Sequence, residues 1–229
     1  MFSLFQINRR SPGAGAWRVL FWWIIMIMIL RIFFVLFYRL RRHGTEHVPR
    51  TGPILVVANH QSNFDPPIVG IVVMDRPVAG IARATLFNSK LMAAYIRGFG
   101  AISLKRGESD SVAIRKAIRE LHAGRCVMIF PEGTRSTDGK IGKFQRGFWL
   151  IMKRSKALVL PVGIDGAFDA YPIGSRPKLR GHIEVIAGKP IQAETLLELG
   201  EVRGTEFIKN CVEELHQQCK VNITRRSKN

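Results

Sequence analysis

The sequence predicts an α/β fold: a single domain with a mainly parallel or mixed central sheet flanked by helices, preceded by an N-terminal apolar membrane helix. Three observations carry this. Short, wholly apolar runs such as Ile54-Leu55-Val56-Val57-Ala58 read as buried strands. Segments with apolar residues at helical spacing lie between those runs, and strands alternating with helices imply crossovers in a mainly parallel sheet. The largest apolar excess is gathered at the front of the chain, where Val19 to Leu30 is unbroken.

The front segment divides from the rest at about residue 42, giving a membrane-associating segment at 1–42 and the α/β domain at 43–229. After Val19–Leu30, Arg31 interrupts the run and Ile32 to Tyr38 resume it, which approaches the ~20 residues needed to cross a bilayer. Arg31 near the middle would cost roughly 2.5–3.5 kcal/mol on insertion, part of it relieved by snorkelling. A secretory signal fits least, because the run is long and is followed by Arg39, Arg41 and Arg42 rather than by a small-residue cleavage site. Two readings remain open. One is a spanning helix. The other is a helix dipping into the interface, with Trp17, Trp22, Trp23 and Tyr38 at headgroup level. Basic residues on both flanks suit a helix whose two ends stay on the cytoplasmic side, and if the helix spans, the slight excess after it places the domain in the cytoplasm.

In the domain, Ile54–Ala58 is the first strand. Asp65-Pro66-Pro67 opens a helix through Met74, since a carboxylate caps free N–H groups and proline suits the first turn. Val78–Ala82 is strand-like, Thr85 starts a helix ending at Gly98, and Ala101–Leu104 is a strand. Ser109 or Asp110 opens the next helix, closed by Gly124. Cys126–Phe130, Leu158–Ile164 and Ile183–Ala187 are strands; Arg146–Arg154 and a segment around Phe207–Leu215 are helical.

The balance of 35 Lys and Arg against 17 Asp and Glu, a formal net charge of +18, calls for anionic company: nucleic acid, anionic lipid or phosphorylated substrates. The three cysteines, Cys126, Cys211 and Cys219, are widely spaced. They suggest neither a disulfide framework nor a zinc site, and they fit a reducing compartment.

Sites in open α/β sheets form past the carboxyl ends of strands, and three loops qualify. The first, Asn59 to Asp65, holds His60 and Asp65. On a regular helix they would point about 140° apart, but a loop running into a helix lets them converge. A carboxylate on one imidazole nitrogen fixes the tautomer, which would make His60 a general base oriented by Asp65. At this spacing alone, a loop histidine satisfying backbone beside a helix-capping Asp65 fits as well. The second loop is Pro131-Glu132-Gly133-Thr134-Arg135-Ser136, where Arg135 can grip a phosphate with two nitrogens. A P-loop is excluded, because five residues separate Gly133 from Gly139 and Ile141 stands where a Ser or Thr would meet magnesium. The third loop ends in Lys105 and Arg106, which fit either an anionic headgroup or a solvated edge. The chain has no G-x-S-x-G, which disfavours a serine nucleophile and points to direct attack by a substrate hydroxyl.

In this order the loops resemble the lysophospholipid acyltransferase family, which includes 1-acyl-glycerol-3-phosphate and glycerol-3-phosphate acyltransferases. The resemblance rests on His60 to Asp65, the Gly100 to Arg106 block, Phe130 to Ser136 without a mismatch, and Val159-Leu160-Pro161-Val162. It runs over roughly residues 45 to 190. Lys105 departs from it, since many members carry an acidic or neutral residue there. The resemblance implies an acyltransferase of phospholipid biosynthesis that turns lysophosphatidic acid into phosphatidic acid. The donor would be acyl-CoA or acyl-ACP, hence acyl carrier protein as a partner, with no bound cofactor and no metal. His60 and Asp65 would be catalytic. Lys105, Arg106, Glu132, Gly133, Thr134 and Arg135 would bind substrate. Membrane lipids of an anionic bilayer and the lysophospholipid acceptor would be its partners, and nucleic acid would not. Glycerol 3-phosphate, a lyso-amino-lipid or another lysophospholipid are alternative acceptors. A non-enzymatic module for anionic lipid or nucleic acid is the alternative of another class.

Overall fold

The computed structural model describes residues 12–13, 15, 17, 19–74, 76–83, 102–104 and 110–228. Its sheet has seven strands: β1 (Arg41–His43), β2 (Ile54–Ala58), β3 (Val78–Arg83), β4 (Ile102–Leu104), β5 (Cys126–Ile129), β6 (Leu158–Asp165) and β7 (Glu184–Ala187), in the order β1-β7-β6-β2-β5-β3-β4. Neighbouring strands run parallel except β6 and β7, so the sheet is mixed. The helices are α1 (Ile25–Tyr38), α2 (Asp65–Val73), α3 (Asp110–His122), α4 (Arg146–Ser155), the short α5 (Ala167–Ala170) and α6 (Ala193–Ser227). The helix expected between Thr85 and Gly98 lies outside the described residues.

Alternation along β2 builds the core. Ile54, Val56 and Ala58 face one layer with α1 and α2. Leu55 and Val57 face the other, with α3, α4 and α6. Two-residue periodicity puts successive side chains on opposite faces, and a strand buried at every position must therefore lie between two covered faces.

The front helix belongs to this core. Ile27, Phe34 and Tyr38 are buried in the first layer, so Tyr38, expected at headgroup depth, points into the protein. Ile25, Met28, Ile29, Ile32, Val35, Leu36 and Phe37 of the same helix are exposed. Among the described residues, no helix is long and apolar enough to cross a membrane. The β1 strand, which the basic flanking run concealed, straddles residue 42 and pairs with β7.

The last helix exceeds the expected Phe207–Leu215 segment and breaks its helical dihedrals at Gly200. Its buried Gly204, Ile208, Val212 and His216 recur every four residues and lay one stripe on the sheet. The buried Glu184 ties its end down, accepting from Arg226 Nη1 and pairing with His43 at 3.0 Å.

Candidate active site

Parallel pairing of β2 with β5 sets Val57 beside Ile129, so the chain leaves both strands at the same sheet edge. Asn59 fixes the first exit. Its amide Nδ2 donates to Ile164 O at 2.9 Å, and its Oδ1 accepts from Ile164 N at 2.8 Å. Glu132 joins the two exits. Its Oε1 accepts from His60 N at 2.7 Å and its Oε2 from Gly142 N at 2.8 Å. Ser136 N donates to His60 O at 2.8 Å. Burial pushes the Glu132 carboxyl above its ordinary value, and the two backbone N–H groups and His60 oppose that shift.

The His60 ring stacks on Phe130, with centroids 4.1 Å apart and 16° between planes. Its Nδ1 lies 2.8 Å from Asp65 Oδ2. Asp65 is fully buried, whereas the imidazole is 19% exposed. Helix α2 opens on Asp65 itself, with Pro66 and Pro67 in its first turn. Its carboxylate turns back: Oδ2 also accepts from Gln61 N and Ser62 N, both at 2.6 Å. With a carboxylate on the Nδ1 side, the neutral imidazole donates there and presents Nε2 as acceptor. Among the described residues Nε2 has no partner, so its lone pair is available to a hydroxyl.

Gly133 takes φ +75, a left-handed conformation that glycine adopts freely, and it is exposed with Thr134. Arg135 is half-buried, and its guanidinium pairs with none of the described residues. It adjoins Ser136, whose backbone N–H holds the His60 carbonyl. Lys105 and Arg106 lie outside the described residues. The structure thus brings together His60 and Asp65, which the sequence paired, and sets the Glu132 loop against them.

Sequence reasoning missed the support behind the dyad. Gln61 is buried, and its Nε2 lies 3.0 Å from both Gly139 O and His216 Nε2. His216 Nε2 lies 3.0 Å from Asp165 Oδ1. Ser62 Oγ donates to Tyr171 O at 2.9 Å. The dyad loop is thus tied to the Glu132 loop, to α6 and to the segment after β6. The one signal available was a histidine, His216, continuing the apolar four-residue series of α6.

The sequence profile described as Acyltransferase matches residues 39–165, more than half of the chain. A chloroplastic 1-acyl-sn-glycerol-3-phosphate acyltransferase of Arabidopsis thaliana is 30% identical over 159 residues, covering 68% of this chain and 44% of its own length. A lyso-ornithine lipid O-acyltransferase of Pseudomonas aeruginosa is 29% identical over 177 residues, covering 75% of this chain and 64% of its own. The chain therefore spans about half the length of the Arabidopsis relative. The crystal structure of the 1-acyl-sn-glycerophosphate (LPA) acyltransferase PlsC from Thermotoga maritima superposes with a TM-score of 0.78 at 28% identity, covering 94% of this chain and 87% of that one.

Proposed function

This chain belongs to the acyltransferase family, and from that membership we propose that it moves a fatty acyl group from a thioester to the free hydroxyl of 1-acyl-glycerol 3-phosphate, giving phosphatidic acid. The observation that carries the reading is the His60–Asp65 pair at 2.8 Å with its Nε2 edge open. His60 takes the proton of the acceptor hydroxyl as the oxygen attacks the thioester carbonyl carbon. Asp65 holds the ring and stabilises the imidazolium that forms. Collapse of the tetrahedral intermediate breaks the carbon–sulfur bond, and His60 returns the proton to the departing sulfur. The thiol is that of coenzyme A or of acyl carrier protein.

Arg135, with Lys105 and Arg106, binds the acceptor phosphate. Glu132, Gly133 and Thr134 shape that pocket, Glu132 from within by holding both loops. The exposed apolar face of α1 supports residues 1–42 as the membrane-associating segment, lying in the bilayer interface with the catalytic domain on the cytoplasmic side. Both acceptor and product are lipids of that bilayer.

The test is an assay of the purified chain with lysophosphatidic acid and radiolabelled acyl-CoA. Wild type labels phosphatidic acid and His60→Ala does not; turnover retained in His60→Ala would end the assignment of the base. The Pseudomonas relative favours a lyso-ornithine lipid as the second acceptor to try. Arg135→Ala separates the two, raising KM for the phosphate-bearing acceptor and leaving the phosphate-free one unchanged.

A further inference from the structure

Arg31, the cation within the apolar run, does not reach a carboxylate. Its Nη1 lies 3.8 Å from Met74 Sδ. Arg42, at the end of the same front segment, donates through Nη1 to Ile71 O at 3.0 Å and also touches the Met74 sulfur. Two guanidinium groups thus converge on one thioether and one carbonyl, and no described acidic residue is paired with either. Burial holds the Arg42 guanidinium below its ordinary value, and the charge of Arg31 beside it acts in the same direction. A cavity of about 300 Å³ opens over the pair, lined also by Val35, Leu40, Arg41 and His43.

Like charges this close repel, and an anion between them converts the repulsion into two attractions. Arg groups present planar forks suited to phosphate oxygens. Location selects which phosphate. Arg31 and Val35 are one turn apart on α1, so they share a ridge, and Val35 is itself among the exposed apolar residues of that helix. A helix lying in the interface sinks its apolar face about 5–10 Å into the headgroup boundary, which sets this cavity at phosphate depth. Ile71 lies six residues beyond Asp65 on α2, about 9 Å along the axis, so the cavity belongs to the opposite end of that helix from the dyad.

We propose that the Arg31–Arg42 cavity binds the phosphate of an anionic bilayer phospholipid, a lipid-headgroup site separate from the acceptor site, which moors α1 to negatively charged membrane. This rests on the interfacial reading of α1, and the test separates the two. The full chain is floated with vesicles of phosphatidylcholine alone and of phosphatidylcholine with about one quarter phosphatidylglycerol, beside Arg31→Gln/Arg42→Gln and a charge-matched control, Arg176→Gln/Arg180→Gln. Wild type binds both vesicles and prefers the anionic one. The Arg31/Arg42 variant keeps binding to phosphatidylcholine and loses on the order of tenfold in that preference, while the control loses much less. Equal losses in the two variants would overturn the proposal in favour of diffuse basic attraction. No wild-type binding to phosphatidylcholine would instead fail the interfacial reading of α1. Release by inorganic phosphate beyond isoionic chloride would assign the cavity to free phosphate and overturn the lipid assignment. A raised KM for lysophosphatidic acid in detergent would place it in the acceptor site and overturn it too. Arg31→Gln alone, at a half-exposed position, serves if the double variant does not fold.

Discussion

Phe34 of α1 meets Phe64 of the dyad loop edge to face, with ring centroids 5.1 Å apart and planes at 89°. Tyr38 and Tyr171 reach the same Phe64 ring, each at 5.1 Å. The loop that carries His60 and Asp65 therefore rests on the front helix, and its geometry depends on that helix being seated. Phe34→Ala should cost about 3–5 kcal/mol. In a chain of this length that lowers the melting temperature by roughly 6–20 °C, and kcat should fall at temperatures where the variant is still folded. Phe34→Leu should recover most of both. A Phe34→Ala protein melting with wild type would show that α1 does not support the loop.

Asp65→Asn tests the dyad without dismantling the turn. Asparagine can place its oxygen where Oδ2 accepts from His60, Gln61 and Ser62, and its NH₂ at Oδ1, which is buried without a partner among the described residues. The fold should survive, with the melting temperature within a few degrees of wild type. What is lost is the charge facing the imidazolium, so kcat should fall by about 10²–10⁴-fold, with little change in acceptor KM. Unchanged turnover would reduce Asp65 to a turn-former.

The fold was legible wherever periodicity spoke. Ile54–Ala58 and Cys126–Ile129 are short apolar runs rich in β-branched residues, which read as strands buried on both faces, and the structure ends them within a residue of expectation. The β1 strand was hidden because Arg41-Arg42-His43 is polar and stands at a sheet edge, where pairing with β7 and not apolar pattern defines it. The N-terminal reach of α6 was underestimated because Gly200 interrupts its helical backbone. At the site, His60, Asp65 and the Glu132 loop were visible because their chemistry is local in sequence. Gln61 and His216 were not, since 155 positions separate them and only the tertiary fold brings them together.

Glu132 makes stability depend on pH in a set direction. Burial raises its carboxyl above the ordinary value, so between its unfolded and folded pKa the native state holds more protons than the unfolded state. Stability from this group is thus present at low pH and declines as pH rises through the folded pKa. The melting temperature of wild type minus that of Glu132→Gln should be larger near pH 4 than near pH 7. A difference that grows with pH would mean that the His60 and Gly142 N–H groups outweigh burial.

Gly163→Ala should be among the most damaging single changes outside the dyad. Gly163 lies in β6 beneath α6, and a Cβ there would overlap His216 N and meet Leu215 C at 2.5 Å and Leu215 Cβ at 2.6 Å. The nearest of these are backbone atoms, so no rotamer change relieves the overlap, and α6 must move away from the sheet. Overpacking of this kind costs about 1–3 kcal/mol or more. The displaced residue is His216, which faces Gln61 and Asp165, so the shift should reach the dyad loop as well. Val212→Ala, which empties volume on the same helix without lifting it, provides the comparison. At a temperature where both variants are folded, Gly163→Ala should lose more kcat than Val212→Ala, even where their melting temperatures agree. Equal kcat at equal stability would mean that α6 supports the fold and leaves the His60–Asp65 geometry alone.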